Sequence, residues 1–362
     1  MSSRTALITG FPGFVARHLI RRLARRWPEL RFVFLVEARL VERAEEGVEA
    51  LGGALEGRWD IVVGDIAERQ LGLGDAEWDS LAQSITEVWH LAAIYNLAVA
   101  ERVAHRVNVM GTTHILELCE HAPRFERLNY ISTCYVSGRR TGLIREAELD
   151  EGQGFNNHYE STKFWAEAEV QRRWNRIPTV IFRPGILVGD SRTGETDKYD
   201  GPYYVLKLLE RLPDTLPFVN VGKGQTPVNL VPIDFAADAM VELASRPESV
   251  GTVFQLADPD PMRSAEVLDL MLRIMGKAPA ALDLPPLLVS SALKLKAVRD
   301  RVKVPAEVFA YFNHDARYDT THTDEALAGT GIRCPHLSSY LDTLVDYMKR
   351  NPKKTFLDGR PV

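Results

Sequence analysis

Tyr159 and Lys163 lie four residues apart at the start of a segment with helical periodicity. Side chains four apart share a helix face, so the phenol and the ammonium can meet at one point. A nearby ammonium favours phenolate over phenol, so we expect it to lower the pKa of Tyr159 from about 10 toward neutral pH. Such a tyrosine can exchange a proton with a carbonyl oxygen. An isolated pair of this kind would more often be a surface contact worth a few tenths of a kcal/mol.

A hydroxyl residue supports the chemical interpretation of this pair. In YISTCYVSG (Tyr130–Gly138), Thr133 follows an apolar run where a strand would end. Ligands bind at the carboxyl edge of parallel sheets, so the Thr133 hydroxyl can hydrogen-bond the same carbonyl oxygen. The neighbouring Cys134 could suggest a covalent thioester, but the sequence places no histidine to activate it. We interpret Cys134 as a small buried side chain.

The segment TALITGFPGFVARHLIRRL (Thr5–Leu23) predicts a buried strand, a tight turn and a helix. Gly10 permits a sharp turn, Gly13 permits close approach of a ligand, and Ala16 permits close packing of helix on strand. The free N–H groups at the helix start could then face a pyrophosphate. The spacing G-x-x-G-x-x-A is weak evidence alone, because any tight strand-to-helix turn favours glycine.

Strand-like and helix-like segments alternate around these residues. We predict strands at Thr5–Thr9, Phe32–Val36, Trp59–Val63, Glu87–Leu91, Arg127–Ser132 and Thr179–Phe182. We predict helices at Val15–Arg26, Arg39–Leu51, Val99–Cys119 and Tyr159–Trp174. The alternation indicates an α/β fold of the Rossmann type, a doubly wound parallel sheet with a smaller, interleaved C-terminal substrate-binding domain. We expect a cofactor domain over residues 1–189, to which 228–257 return, and a mostly substrate-binding region over 190–362.

Composition narrows the class of protein. The chain has 362 residues and a net charge of −5, so we expect no nucleic-acid partner. Its three cysteines lie far apart, and we expect neither disulfides nor a metal site. The N-terminus lacks a signal-peptide pattern and no apolar run is long enough to cross a membrane, so we expect a cytoplasmic protein. The oligomeric state is open, with a homodimer as one option.

With these motifs in this order, the sequence resembles the extended short-chain dehydrogenase/reductase superfamily over essentially the whole chain. VGDI (Val63–Ile66), HLAA (His90–Ala93), RVNVMGT (Arg106–Thr112) and FRPGILVG (Phe182–Gly189) are also similar to that family. Taken alone, His90 and Asn108 would be internal polar groups with satisfied hydrogen bonds. The resemblance implies NADP(H) or NAD(H) as cofactor, bound by Gly10, Phe11, Pro12, Gly13, Phe14, Val15, Glu37, Arg39, Asp65, Ile66, Leu91, Ala92, Ala93, Asn108, Tyr159, Lys163, Pro184, Gly185 and Ile186.

Within the superfamily the sequence most resembles thioester reductases and fatty acyl-CoA reductases. The resemblance rests on TGFPGF, HLAAIYNL, DEGQGFNNHYESTKFWAE and GDSRTGETDKYDGPYY. It implies hydride transfer to an acyl-CoA or carrier-bound thioester, giving an aldehyde and, in some cases, an alcohol. Thr133 would hold the oxyanion, Tyr159 would donate the proton, and Lys163 would tune Tyr159 and bind ribose. The chain contains no adenylation or carrier domain, so we expect the thioester to arrive in trans.

The choice between the two cofactors depends on the end of the second strand, where LVEAR (Leu35–Arg39) places Glu37. A carboxylate there hydrogen-bonds a ribose 2′-hydroxyl and repels a phosphate. Arg39 and Arg43 could still bind the 2′-phosphate of NADPH. We keep both cofactors and favour NADPH because of the family.

For the substrate we expect contacts from Tyr135, Tyr203 and Tyr204. An apolar acyl tunnel could be lined by Tyr203, Tyr204, Val205, Leu206, Leu208, Leu209, Leu287, Leu288 and Leu295, although these residues could equally close the core of a second domain. One alternative function is reduction of a ketone or aldehyde. A second is epimerisation or dehydration of a nucleotide sugar. Dehydration is disfavoured because Cys134 and Tyr135 follow Thr133 at positions where dehydratases carry acidic residues. A third is a non-catalytic NAD(P)-sensing protein, which would be expected to lose Tyr159 or Lys163.

Overall fold

The computed structural model describes residues 4–95, 99–213, 218–221, 223–280, 282–284 and 314–352. The strands are β1 (Thr5–Thr9), β2 (Arg31–Val36), β3 (Trp59–Val63), β4 (Glu87–His90), β5 (Arg127–Ile131), β6 (Gly142–Ile144), β7 (Thr179–Pro184), β8 (Ile186–Val188), β9 (Val219–Val221), β10 (Leu230–Pro232), β11 (Val253–Leu256), β12 (Leu282–Leu284) and β13 (Ala316–Tyr318). The helices are α1 (Phe14–Arg26), α2 (Val41–Ala50), α3 (Asp75–Ser84), α4 (Glu101–Ala104), α5 (Gly111–His121), α6 (His158–Arg172), α7 (Pro202–Arg211), α8 (Ile233–Ala244), α9 (Ser264–Ile274), α10 (Thr321–Leu327) and α11 (Leu341–Arg350).

Seven strands form one parallel sheet in the order β11-β7-β5-β4-β1-β2-β3. The strand order reverses between β1 and β4, and this is the point at which doubly wound sheets bind ligands. The predicted Rossmann-type fold is therefore confirmed. The turn after β1, the segment after β4, Thr133 after β5 and the end of β7 all lie at the carboxyl edge of the sheet.

Alternating side chains of the strands face two helical layers. Ala6 and Ile8 of β1 belong to a core that includes residues of α1, α2 and α8, whereas Leu7 belongs to a core with residues of α3, α5 and α6. Because successive residues of a strand point to opposite faces, a fully apolar strand such as β1 requires both layers.

The predicted elements lie close to the observed ones. The strands Thr5–Thr9 and Trp59–Val63 have the predicted bounds, and the other sheet strands predicted are shifted by at most two residues at one end. Helix α3 was not predicted. The predicted helix Val99–Cys119 is interrupted by a π-helical segment, His105–Met110, between α4 and α5.

A third apolar core lies beyond residue 189. It joins residues of α7, α9 and α11 to β8 and β10, and it includes Tyr199, Tyr203 and Tyr340. The chain nevertheless returns to the main sheet, because α8 belongs to the core on one face and β11 pairs with β7. The division into two domains stays a prediction. Among the described residues, no helix is long and apolar enough to cross a bilayer.

Candidate functional site

The turn between β1 and α1 is too tight for side chains at either glycine. Gly10 has φ +80°, and a Cβ there would lie 2.9 Å from the backbone nitrogen of Ala92. A Cβ at Gly13 would lie 2.7 Å from the carbonyl oxygen of Gly10, which already accepts a hydrogen bond from the Gly13 N–H. Both glycines are therefore required by backbone contacts. The Phe11 ring is buried and stacks on Phe34 with centroids 4.3 Å apart, so this side chain faces the core.

The start of α1 is suited to an anion. No side chain caps the helix, and its first turn contains no acid. The first N–H groups of a helix have no intrahelical partner, and the helix dipole favours negative charge there. Arg17 follows Ala16 in this first turn and donates to the Pro12 carbonyl at 3.1 Å. The phosphates of a dinucleotide fit this position.

A buried hydrogen-bond network holds the segment after β4 beside the glycine turn. Thr9 Oγ1 accepts from the N–H groups of Leu91 and Ala92 at 3.1 and 3.0 Å and bonds His90 Nδ1 at 2.8 Å. The other ring nitrogen of His90 bonds Thr112 Oγ1 at 3.0 Å. Burial and the charge of Lys163 lower the pKa of His90 to about 3, so the ring is neutral. This agrees with the interpretation of His90 as an internal polar group.

Asn108 connects this segment to the helix that carries Tyr159. Its Oδ1 accepts from the Ile94 N–H at 2.8 Å, and its Nδ2 donates to the Ile94 carbonyl at 3.0 Å and to Thr162 Oγ1 at 2.9 Å. Since both ends of the amide are used by protein groups, the side chain of Asn108 positions the residues after Ala93. The π-helical turn is the element that supplies it.

Thr133 and Tyr159 converge as predicted. The Thr133 hydroxyl hydrogen-bonds the Tyr159 phenol, lies 3.5 Å from the Pro184 carbonyl oxygen and accepts from the Tyr135 N–H at 3.3 Å. Asn157 caps α6 by accepting from the Glu160 N–H at 3.0 Å, which fixes where the helix begins. The hydroxyls of Thr133, after β5, and of Tyr159, on α6, can thus act on one oxygen atom.

The expected effect of Lys163 on Tyr159 is wrong for this structure. The ammonium of Lys163 is buried and donates to the Ile131 carbonyl at 2.7 Å and to the Tyr130 hydroxyl at 3.1 Å. Burial raises the pKa of Tyr159 to about 12, although the hydrogen bond with Thr133 opposes the rise. Burial also lowers the pKa of Lys163 to about 7, against the charge of Glu167. Tyr159 is therefore a phenol rather than a phenolate near neutral pH.

The ends of β2 and β3 contain an ion pair and a turn. Arg39 donates to both carboxylate oxygens of Glu37, at 2.7 and 3.2 Å, and this pair is about half exposed. Asp65 accepts from the Ala67 N–H at 2.8 Å. Ile66 is buried beside Gly111, where a Cβ would lie 2.8 Å from its Cδ1. The side chain of Ile66 faces the core, so a cofactor contact there would be through the backbone.

The residues after β7 are fixed by backbone pairing. The N–H of Gly185 donates to the Leu256 carbonyl at 3.0 Å, and the N–H of Ile186 donates to the Asn229 carbonyl at 3.0 Å. A Cβ at Gly185 would lie 2.8 Å from Asn229 Oδ1. The backbone of Pro184 and Gly185 is therefore held at the sheet edge, beside Thr133, and its contact with the cofactor stays a prediction.

The predicted substrate residues have different environments. Tyr135 is partly buried, with its ring 6.1 Å from that of Tyr318. Tyr204 is also partly buried. Tyr203 is 2% exposed, and its hydroxyl accepts from the Gly189 N–H at 3.1 Å, so its position is that of a core residue rather than a substrate contact. Cys134 is buried and its thiol donates to the Arg183 carbonyl at 3.0 Å, as the structural interpretation requires. Leu287, Leu288 and Leu295 lie outside the described residues.

The attachment of the loop between β8 and α7 was not predicted from the sequence. Arg17 forms an ion pair with Asp197 of this loop. Asp200 accepts from the Tyr95 hydroxyl at 2.7 Å and lies 3.3 Å from the Lys198 ammonium. That ammonium lies 3.5 Å from the Tyr95 ring centroid. The loop is therefore fixed to α1 and to the segment after β4. The sequence feature that could have indicated this attachment is Arg17, a cation in the first helical turn after the two glycines.

Comparison with known proteins identifies the family to which the chain belongs. Residues 8–240 match the family model described as male sterility protein. A linear gramicidin synthase from Brevibacillus parabrevis is 29% identical over 76% of this chain and 5% of its own length. The L-2-aminoadipate reductase large subunit of Penicillium chrysogenum is 27% identical over 69% of this chain and 19% of its own. The chain thus spans at most about a fifth of these two relatives.

Solved structures support the same assignment. The terminal R domain from the myxalamid PKS-NRPS biosynthetic pathway has a TM-score of 0.82 and 28% identity, covering 97% of this chain and 92% of that one. UDP-glucuronic acid 4-epimerase from Bacillus cereus, solved with NAD, has a TM-score of 0.66 and 21% identity, over 96% of this chain and all of that chain, which shows the shared fold. The chain belongs to the male sterility protein family of the extended short-chain dehydrogenase/reductases.

Proposed function

We propose that the chain reduces an acyl thioester to an aldehyde with NAD(P)H. The observation that carries the proposal is the convergence of Thr133 and Tyr159 at the carboxyl edge of the sheet, in a chain that is 28% identical to a terminal R domain over 97% of its length. The glycine turn and the uncapped start of α1 are suited to the cofactor phosphates.

The chemistry assigns one task to each side chain. Bound NAD(P)H supplies the hydride that adds to the carbonyl carbon. Thr133 donates a hydrogen bond to the oxygen on which negative charge develops, and Tyr159 transfers its proton to that oxygen. Its high pKa keeps Tyr159 protonated until this step. The carbon–sulfur bond of the resulting hemithioacetal then breaks and the hydroxyl proton passes to sulfur. The products are an aldehyde, a thiol and oxidised cofactor, and Tyr159 regains its proton from solvent.

The loop between β8 and α7 lies beside the proposed reaction site. It follows β8 directly and is fixed to α1 through Arg17 and Asp197, so it borders the carboxyl edge of the sheet. A thiolation-reductase di-domain from an archaeal non-ribosomal peptide synthetase has the same fold, with a TM-score of 0.74 at 19% identity. We favour a carrier-bound thioester as the substrate and acyl-CoA as the simpler analogue for assay.

The test is a panel of carrier-bound acyl thioesters, acyl-CoAs from C4 to C16, aldehydes, ketones and UDP-sugars. Each is assayed with NADH and with NADPH by loss of reduced-cofactor absorbance and by detection of the free thiol. Burial of each added methylene contributes about 0.8 kcal/mol, so an apolar acyl site raises kcat/KM by up to about fourfold per methylene before a plateau. Thiol release that matches cofactor oxidation supports the proposal. Activity confined to ketones or nucleotide sugars, or binding of cofactor without turnover, contradicts it.

A further inference from the structure

Glu167 is a buried carboxylate at the centre of the catalytic elements. It lies on α6 one turn after Lys163 and two turns after Tyr159, with no exposed surface. Its Oε1 accepts from Arg183 Nε at 3.0 Å and from Nη2 at 2.5 Å, and its Oε2 accepts from Ser132 Oγ at 2.5 Å. A buried charge is tolerated only with such donors, because its loss of solvation must be offset.

Gln171 of the same helix also donates to Glu167 Oε1, at 2.9 Å, and the other two partners of Glu167 directly precede residues of the reaction site. Ser132 precedes Thr133, and Arg183 precedes Pro184, whose carbonyl oxygen lies 3.5 Å from Thr133 Oγ1. One carboxylate therefore joins α6 to the ends of β5 and β7. A shift of any of the three elements would break a buried hydrogen bond to a charged group, which costs more than a neutral one.

Glu167 also contributes to the electrostatic environment of the Lys163 ammonium. The titratable groups that interact with Lys163 are His90 of β4, Tyr130 of β5 and Glu167 of α6, and Tyr159 lies one turn before Lys163 on α6. His90 is neutral, because burial and the Lys163 charge lower its pKa. Burial raises the pKa of both tyrosines. Among these groups, Glu167 is thus the carboxylate whose charge acts on Lys163.

We propose that Glu167 is a positioning residue that holds Thr133, Tyr159 and Lys163 in register and places a buried carboxylate one helical turn from the ammonium of Lys163. The inference deepens the proposed function, on which its catalytic meaning rests, and assigns a role to a residue that contacts neither substrate nor cofactor. The proposed role requires the negative charge of Glu167, whereas a purely structural role would require only its ability to accept hydrogen bonds.

The test compares Glu167→Gln with Glu87→Gln. Glu87 is also buried and forms an ion pair with Arg4 at 2.9 Å. It is the first residue of β4 and therefore lies at the amino ends of the strands, away from the site. The readouts are the NADPH dissociation constant by fluorescence and kcat/KM, each from pH 6 to 9. In Glu167→Gln the fall in cofactor affinity on the alkaline side should occur about one pH unit lower, because the ammonium has lost its opposite charge. Glu87→Gln should keep the wild-type midpoint.

A second variant keeps the inference testable where Glu167→Gln does not fold. Glu167→Asp retains the charge but shortens the side chain, so kcat should fall at least about tenfold while the pH midpoint of cofactor binding stays within about half a unit of wild type. An unchanged midpoint in Glu167→Gln, an equal shift in Glu87→Gln, or wild-type kcat in Glu167→Asp would overturn the inference. A wild-type chain that binds NADPH but reduces no thioester would refute the proposed function alone, since the cofactor titration would still test Glu167.

Discussion

The ammonium of Lys163 lies 2.7 Å from the carbonyl oxygen of Ile131, inside the sheet edge rather than on the helix surface. Burial lowers the pKa of Lys163 to about 7. In the unfolded chain a lysine titrates near 10.4. Between these values the unfolded chain binds more protons, so this residue makes the free energy of unfolding rise with pH.

We therefore expect Lys163→Met to remove a pH-dependent contribution to stability. Relative to wild type, the variant should be most favoured at pH 6, where Lys163 is charged and buried, and should lose that advantage by pH 9. Urea unfolding of both proteins at pH 6, 7.5 and 9 measures the difference. Lys223→Met, at an exposed lysine, serves as control. Parallel stability curves for wild type and Lys163→Met would exclude the low pKa.

Tyr159→Phe should reduce kcat by roughly 10² to 10⁴ while the Kd for NADPH stays within a few-fold, because the variant loses only the proton donor. Stopped-flow or steady-state reduction of a verified thioester measures kcat. Tyr340→Phe is the matched control, since it removes a buried phenol that donates to the Leu230 carbonyl at 3.1 Å in the third core. It should cost about 1 kcal/mol of stability and leave kcat intact. Retention of most activity by Tyr159→Phe would assign the acid elsewhere.

Glu37→Arg should shift cofactor preference toward NADPH by about tenfold or more, measured as the ratio of kcat/KM values. The substitution removes a carboxylate that repels the 2′-phosphate and that occupies the guanidinium of Arg39 at 2.7 and 3.2 Å. Arg39→Ala should weaken NADPH binding more than NADH binding. The same ratio in wild type and both variants would place cofactor recognition outside this pair.

The ion pair of Arg17 and Asp197 should couple the loop before α7 to the glycine turn. We expect Arg17→Ala and Asp197→Ala each to raise the KM for thioester, and the double variant to be less impaired than the sum, with a coupling of about 0.5 to 1 kcal/mol. Arg31 and Asp60 form a more exposed pair at 3.0 Å and provide the control cycle for stability. Strict additivity at Arg17 and Asp197 would indicate that the loop is held by other contacts.

The sequence by itself predicted six of the seven strands of the main sheet and the sheet edge at which the site residues lie. The apolar run Thr5–Thr9 and the spacing of Tyr159 and Lys163 are local patterns, because strand burial and helical periodicity are encoded within a few residues. The order of the strands then placed Thr133 beside Tyr159, since parallel strands bring their carboxyl ends to one edge.

Only the tertiary structure decided the pKa values of these groups and the residues with which they form hydrogen bonds and ion pairs. Lys163 points to Ile131 rather than Tyr159, and burial reverses the expected direction of the Tyr159 pKa. The pair of Arg17 and Asp197 joins positions 180 residues apart, which no local pattern predicts. Solvation and long-range pairing depend on the whole packed chain. Spacing along the sequence therefore predicts which residues share a helix face or a sheet edge, but neither their long-range partners nor their pKa values.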